Sequence, residues 1–349
     1  MYEAFFDLSA SPFQPSPDPH FFYWSKGHGE AHAFLDEQAA VGAGVMVLTG
    51  EVGAGKTTLA RARVAEIDPN AVAVAWIASA QLDVTSLLHA IALAFGLPVR
   101  SELKSHILQA IEDFLLDLLS SGRHALLVID EAQDLTTEAL EAVCLLSTYP
   151  PGHRSVLQFL LLGQPEMRKH ILELPADAGG GRPITTYHLG PMEAPETRAY
   201  IEHRLAHVGW QHDPVVTMPA FARIHAITEG IPRRVNSVCN RLLLGAYLAR
   251  AHEIGGREVD EVAAELRAEL GADALPVAEE AVPLNADETN VRRRTDRDRT
   301  FMVSSLSARL EGLERDVAHM MLLVRALPEG MRRRAGATFS PPPRNDRSR

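Results

Sequence analysis

Residues 50–57 read Gly-Glu-Val-Gly-Ala-Gly-Lys-Thr, and this octapeptide restricts the fold of the chain more than any other segment. It matches the pattern G-x-x-x-x-G-K-[ST] in full. A short apolar run at residues 45–49 precedes it, and a helical pattern follows it. Glycine lets the backbone curve closely around phosphate oxygens, and the N-terminus of the following helix favours negative charge. The octapeptide therefore predicts a strand, a phosphate-binding turn and a helix in succession; a glycine-rich turn with an exposed lysine is the alternative.

The octapeptide also supplies candidate ligands for a nucleotide. Lys56 is expected to neutralise the β- and γ-phosphates, and the Thr57 hydroxyl is expected to bind Mg²⁺. We predict ATP and Mg²⁺ as the molecules bound. The predicted nucleotide-binding residues are Gly50, Glu51, Val52, Gly53, Ala54, Gly55, Lys56, Thr57 and Thr58.

A second apolar run ends in two acids, Asp130 and Glu131. In a parallel α/β sheet such a strand delivers its carboxyl end to the edge where ligands bind. Asp130 is expected to hold Mg²⁺, and Glu131 is expected to orient and deprotonate the attacking water. The alternative is a pair of surface acids that cap the next helix.

Two polar residues farther along the chain are weaker candidates. Gln164 follows the apolar run at residues 156–163. It either senses the γ-phosphate or positions water, and the alternative is that it merely caps its strand. Arg233 lies in Gly-Ile-Pro-Arg-Arg at the start of a predicted helix. It either reaches back to the nucleotide, which would couple closure of a lid to ATP, or occupies a solvated helix start.

Short apolar runs alternate with amphipathic stretches between residues 35 and 190. The runs are residues 45–49, 72–77, 125–130, 156–163 and 186–189. They are rich in Val, Leu and Ile, as buried parallel strands are. Strand–helix alternation predicts an α/β fold, a doubly wound parallel sheet with helices on both faces. Residues 192–270 read as three or four helices of a second, all-α domain.

The segments outside this core have distinct compositions. Residues 1–34 hold nine of the 21 aromatic side chains together with several prolines. Since proline at that density prevents a continuous helix, we expect an extended segment that wraps onto the following domain. The predicted domains are therefore 1–34, an N-terminal wrap; 35–191, the P-loop core; 192–270, the helical lid; 271–300, an acidic linker; 301–327, a heptad helix; and 328–349, a disordered basic tail.

The heptad segment has apolar residues at alternating spacings of three and four. They are Val303, Leu306, Leu310, Leu313, Val317, Met320, Val324 and Leu327. Such a seam predicts a helix that pairs with a second copy or a partner, and packing of a lone helix onto the body is the alternative.

Composition limits the class of protein. The net charge is −11, but residues 292–349 hold 14 arginines against seven acids, so the remainder carries −18. An acidic body argues against a protein that mainly coats nucleic acid, while the basic tail keeps an anionic partner open. No apolar run is long enough to span a bilayer, and the first residues do not resemble a signal peptide. Cys144 and Cys239 read as two buried thiols, and no metal besides Mg²⁺ is predicted.

Several motifs in order resemble the ExeA-type ATPases, the general secretion pathway protein A family. They are the aromatic and proline pattern of residues 1–23 and the segments 49–58, 130–133, 162–166, 187–191 and 230–233. The resemblance covers about residues 1–268. It implies an AAA+ fold with a five-stranded parallel core and a helical lid. It also implies an ATPase that couples turnover to assembly of a secretion or exopolysaccharide export system.

The resemblance also bears on the role of one arginine, on the oligomeric state and on the location in the cell. Arg182 falls at the family's arginine position and is therefore a candidate finger for a neighbouring subunit's nucleotide, although Gly179, Gly180 and Gly181 depart from the usual helix there. We expect a homo-oligomer in the cytoplasm, held at the inner membrane through a partner if at all, and without a membrane span. Two alternatives are a DNA-associated ATPase of the transposition-regulator type and a nucleotide-dependent scaffold with little turnover.

Overall fold

The structure, a computed structural model, describes residues 2–14, 22–42, 44–78, 82–99, 103–150, 155–174 and 184–270. All of these residues belong to one compact unit. Arg182, the acidic linker, the heptad segment and the basic tail lie outside the described residues, so the predictions made for them remain predictions.

Five parallel strands form the central sheet. They are β1 (Val45–Gly50), β2 (Val72–Ala78), β3 (His124–Asp130), β4 (Leu157–Gly163) and β5 (Ile184–Leu189). Their order is β2-β3-β4-β1-β5. Val47 of β1 lies opposite Leu161 of β4 and Thr186 of β5, and all six residues of β1 are buried. The predicted five-stranded parallel sheet is therefore confirmed. Because β1 is buried on both faces, helices must cover the sheet above and below.

Helices cover both faces of the sheet. They are α2 (Lys26–Val41), α3 (Lys56–Ala65), α4 (Val84–Ala94), α5 (Lys104–Ser120), α6 (Thr137–Ser147) and α7 (Met167–Glu173). The alternation of side chains along β1 separates the layers: Val45 and Val47 pack into a cluster with α4, α5 and α6, whereas Met46 and Leu48 pack with α2 and α3. The predicted doubly wound arrangement is thereby confirmed.

Local sequence explains where the helices begin. In α5 the buried residues Ile107, Ile111, Leu115 and Leu118 recur at spacings of four and three and form one apolar stripe. Four helices start at a side chain that accepts a hydrogen bond from a backbone N–H of the first turn. These N-caps are Ser25, Asp83, Thr136 and Thr217.

Four helices follow the sheet and form what we call the helical region. They are α8 (Ala194–His207), α9 (Met218–Thr228), α10 (Pro232–Ala249) and α11 (Gly256–Leu270). Two short parallel strands, β6 (Val215–Val216) and β7 (Glu253–Ile254), pair between them. The helical character was predicted, but the two strands were not, because two residues each are too few to produce a period-two pattern.

The N-terminal segment packs differently from the expectation. Residues 2–5 form a short helix, α1 (Tyr2–Phe5), and Tyr2, Phe6 and Phe13 join the apolar core of the helical region. Phe22 and Phe34 instead pack against the α/β core. Helix α2 also crosses the predicted boundary at residue 34. The prediction that the N-terminal segment wraps onto the following domain is therefore wrong for the first 14 residues. The apolar face that they cover belongs to helices more than 180 residues later in the chain.

Two further findings concern the cysteines and the apolar character of the helices. Cys144 and Cys239 are both buried free thiols, as expected. Among the described residues, no helix combines the length and apolar character that crossing a membrane requires.

Candidate nucleotide-binding site

Residues 50–57, here called the phosphate loop, connect β1 to α3. The chain leaves the sheet at Gly50, and α3 begins at Lys56. Gly53 and Gly55 have φ angles of 84° and 101°, which side chains of L residues rarely adopt. Because the loop runs from the carboxyl end of a central strand into a helix N-terminus, its N–H groups can converge on an anion.

Lys56 is only 8% exposed and lies inside the phosphate loop. Its Nζ donates to the carbonyl oxygens of Gly50 at 2.7 Å and Glu51 at 3.0 Å. Burial lowers the pKa of Lys56, and the nearby carboxylates of Glu131, Asp130 and Glu51 oppose that shift. The ammonium group is thus held by weak carbonyl partners that a phosphate oxygen could replace.

Thr57 and Asp130 meet beside the loop although 73 residues separate them. The Thr57 hydroxyl donates to Asp130 Oδ2 at 2.9 Å, and Asp130 Oδ1 accepts the Glu131 N–H at 3.1 Å. β3 carries Asp130 as its last residue, next to β4 in the sheet. A hydroxyl and a carboxylate oxygen are hard donors of the kind that Mg²⁺ prefers, so the pair fits that ion.

Glu131 belongs to a short chain of polar contacts at the same edge of the sheet. Its Oε2 accepts from Gln133 Nε2 at 2.9 Å, and Gln133 Oε1 accepts from the Gln164 N–H at 3.0 Å. A carboxylate only accepts and a backbone N–H only donates, so these partners determine the orientation of the Gln133 amide. Gln133 thereby ties Glu131 to the end of β4. Sequence reasoning gave Gln133 no role, although it lies two residues beyond Glu131.

Arg233 also reaches the phosphate loop. It occupies the first turn of α10, and its backbone N–H donates to the Gly53 carbonyl at 3.2 Å. A Cβ added to Gly53 would lie 2.2 Å from Arg233 Cβ, so the two backbones are in direct contact. The helical region therefore touches the loop at this residue, while the guanidinium group remains exposed.

Sequence reasoning missed two histidines, one at the phosphate loop and one beside the strand that leads into it. His28, in the first turn of α2, is buried and its Nε2 lies 3.1 Å from the Ala54 carbonyl oxygen. His188, on β5, contacts the Thr49 hydroxyl through Nδ1 at 3.1 Å. Burial is the largest cause of a lowered pKa in both. The sequence offered one hint for His28, namely a capping serine, Ser25, three residues before it.

The predicted site residues therefore converge, with one exception. Around the phosphate loop the structure assembles Lys56, Thr57, Asp130, Glu131, Gln164 and Arg233. Arg182 lies outside the described residues. Within the part of the chain that is described, no group of three or more His, Cys, Asp or Glu side chains could hold a metal ion.

The chain is similar to known proteins in sequence. Residues 39–171 match the AAA domain family. General secretion pathway protein A of Aeromonas hydrophila is 35% identical over 267 residues, which is 76% of this chain and 48% of that protein. The chain thus spans about half the length of this curated relative.

Solved structures share the fold at low sequence identity. Cdc6p of Pyrobaculum aerophilum is 16% identical with a TM-score of 0.58, covering 73% of this chain and 70% of that one. The ORC2 protein of Aeropyrum pernix is 17% identical with a TM-score of 0.53, covering 74% and 72%. At this identity the likeness concerns the fold alone.

Proposed function

We propose that this chain, a homologue of general secretion pathway protein A that carries an AAA domain, binds ATP together with Mg²⁺ and hydrolyses the γ-phosphate. One observation carries the proposal. The hydroxyl of Thr57, the last residue of the phosphate loop, lies 2.9 Å from the Asp130 carboxylate, which in turn accepts the N–H of the neighbouring acid Glu131. A hydroxyl and two acids beside such a loop suit phosphoryl transfer.

Binding begins with the phosphate loop and Lys56. The loop N–H groups and the N-terminus of α3 attract the phosphates, and the Lys56 ammonium exchanges its bonds to Gly50 and Glu51 for phosphate oxygens. These carbonyls are neutral, so charge favours the exchange. The ORC2 protein, which shares this fold, is itself known in complexes with ADPNP and ADP.

Thr57 and Asp130 would hold the Mg²⁺ ion. When bound, this ion neutralises charge on the phosphate groups. The two side chains already share a hydrogen bond, so only the Thr57 hydroxyl has to reorient for both oxygens to become available.

Hydrolysis then requires a water molecule and a base. Water oxygen forms a bond to the γ-phosphorus, and the bond between that phosphorus and the β–γ bridging oxygen breaks, leaving ADP and inorganic phosphate. Glu131 accepts the proton that the water loses. Gln133 keeps the Glu131 carboxylate in place, and Gln164 at the end of β4 is proposed to position the water or sense the γ-phosphate.

Two arginines complete the proposed machinery. Arg233 links the start of α10 to the phosphate loop, so that movement of the helical region would alter nucleotide binding. Arg182 is proposed to reach the nucleotide of a neighbouring subunit in a homo-oligomer. An arginine that acts in this way raises turnover by about 10³–10⁵.

The cellular role follows from the named relative. We propose that turnover drives assembly or operation of a secretion or exopolysaccharide export system. The protein is proposed to act in the cytoplasm, and the heptad segment is proposed to bind the partner protein or a second copy of the chain. The similarity to general secretion pathway protein A supports this role. Co-purification of the full chain with the products of its neighbouring genes, with and without residues 291–349, tests it.

Nucleotide binding is tested first, with a fluorescent ADP analogue and purified full-length protein. Lys56→Ala should weaken binding by about 100-fold or more, because the phosphates lose a buried charged donor. Lys104→Ala, at an exposed lysine of α5, is the matched control and should bind like the wild type. Equal affinity of all three proteins would contradict the proposed site.

Turnover is tested by release of inorganic phosphate. Glu131→Gln should keep nucleotide affinity but lower turnover by about 10²–10⁴, since the amide cannot accept the proton. Glu37→Gln, at an exposed acid of α2, is the control. Turnover by Glu131→Gln at the wild-type rate would remove Glu131 from the mechanism.

A further inference from the structure

We propose that the first turn of helix α2 is a positioning element that holds the phosphate loop ready for a nucleotide and ties it to the helical region. His28 makes the contact with the loop, and Glu196 of α8 makes the contact with the helical region. The inference rests on the proposed nucleotide-binding function and adds two positioning residues to it.

His28 forms hydrogen bonds through both ring nitrogens while only 4% exposed. Ser25 Oγ accepts the His28 N–H at 3.3 Å, so its own proton is free to point to Nδ1, 2.6 Å away. Nδ1 then accepts, and Nε2 carries the proton that it donates to the Ala54 carbonyl at 3.1 Å. Because the Ala54 carbonyl can only accept, it requires this tautomer, and the Ser25 hydroxyl, which can donate or accept, then donates to Nδ1.

The imidazole also shapes the loop by contact. A Cβ added to Gly55 would lie 2.7 Å from His28 Nε2, so the ring occupies the space beside this glycine. The Phe22 ring packs edge-on against the imidazole, with centroids 5.2 Å apart. Because the ring is enclosed, it restricts the loop rather than following its movements.

Glu196 links the same helical turn to the helical region. Its Oε1 accepts the Lys26 N–H at 2.7 Å, and its Oε2 accepts the Glu193 N–H at 3.0 Å. One carboxylate thus satisfies an N–H at the N-terminus of α2 and another at the N-terminus of α8. Both helix ends carry partial positive charge, which a carboxylate stabilises.

Two neighbouring carbonyls of the loop are consequently held by different elements. Ala54 is held by His28 of α2, and Gly53 is held by the Arg233 N–H of α10. With these carbonyls turned towards the body of the protein, the loop N–H groups stay directed at the phosphate position. The fraction of molecules with a competent loop sets the apparent affinity, so losing a holding contact weakens binding.

The test compares four full-length proteins by binding of a fluorescent ADP analogue and by thermal melting. His28→Leu keeps the volume but removes the donor and leaves a buried carbonyl unsatisfied, so the dissociation constant should rise about tenfold. His28→Gln restores an N–H donor and should recover most of that loss. His106→Leu, at an exposed histidine of α5, is the control and should match the wild type.

Affinity separates a positioning role from a merely structural one. If His28→Leu melts at a lower temperature but binds the analogue like the wild type, the inference is wrong while the nucleotide site stands. If the wild type itself does not bind, the proposed function fails first. Should His28→Leu not fold, Ser25→Ala takes its place: it keeps the imidazole, and an affinity loss of about threefold supports the inference whereas none overturns it.

A double-mutant cycle tests the link to the helical region. Glu196→Ala alone should weaken binding by about threefold, and Glu37→Ala, an exposed acid of the same α2 helix, should not. If His28 and Glu196 act through one helical turn, the double variant should lose less affinity than the product of the single losses. Strictly multiplicative losses would show that Glu196 acts independently of His28.

Discussion

At the scale of single residues, the amide of Gln133 decides how the acid Glu131 is presented. Its nitrogen donates to the Glu131 carboxylate and its oxygen accepts from the Gln164 N–H. Glu131 itself adopts a φ of 52°, an uncommon conformation for a non-glycine residue. The acid is exposed, so without Gln133 its side chain would sample several rotamers.

We therefore expect Gln133→Ala to lower turnover by about tenfold while nucleotide affinity stays unchanged. Gln133→Glu should lower turnover further, because a second carboxylate would face Glu131. Phosphate release and binding of a fluorescent nucleotide measure the two quantities, with Gln109→Ala at an exposed glutamine of α5 as control. A parallel loss of affinity would mean that Gln133 supports the loop and not the acid.

At the scale of elements, the turn between α9 and α10 places the helical region on the phosphate loop. Glu229 and Gly230 both have positive φ, 52° and 71°. The Gly230 carbonyl accepts the Met192 N–H at 3.1 Å, and α10 starts two residues later with Arg233 in its first turn. The turn thus sets the direction from which α10 approaches Gly53.

We expect Gly230→Ala to lower the free energy of unfolding by about 2 kcal/mol or more, since alanine is disfavoured at this φ. Its Cβ would also lie 2.0 Å from the Met192 carbonyl oxygen. Gly245→Ala is a matched control inside the same helix α10, where a Cβ meets nothing within 4 Å. That variant should instead stabilise by about 0.5–1 kcal/mol. Urea unfolding measures the free energy of unfolding of both variants. If Gly230→Ala left that free energy unchanged, the described turn would be contradicted.

At the scale of the whole molecule, the two ends of the described chain depend on each other. Phe13 is 3% exposed within the core of the helical region. Buried Arg204 of α8 donates from Nε to the Pro12 carbonyl at 2.7 Å and from Nη2 to the Gln14 carbonyl at 3.0 Å. Residues near the N-terminus therefore complete the apolar core of the helical region, which lies at the other end of the described chain.

We expect Phe13→Ala to lower the free energy of unfolding by about 3–5 kcal/mol, the usual loss for a buried aromatic side chain. Leu248→Ala, at a leucine of α10 that is 73% exposed, should change it by no more than about 0.5 kcal/mol. Chemical denaturation monitored by circular dichroism measures both. Similar small losses in the two variants would mean that the N-terminal segment does not contribute to this core.

The central part of the fold was predictable because its signals are local. A buried strand, a glycine turn and a helix start each have a fixed pattern within a few residues, so residues 50–57 and Asp130 could be assigned to one sheet edge. The order of the strands does not follow from such patterns. The resemblance to a family implied only the number of strands and their parallel direction, and the structure places β1 between β4 and β5.

The sequence by itself determined the composition of the candidate site: a loop that can bind phosphate, a lysine and a hydroxyl within it, and two acids at the end of a buried strand. Tertiary structure alone decided what holds these groups, namely His28 on Ala54, Gln133 on Glu131 and Arg233 on Gly53. It also decided that the N-terminal aromatic residues complete the helical region. The physical reason is that such contacts depend on how separate helices pack, and the spacing of residues along one helix carries no information about which surface it will meet.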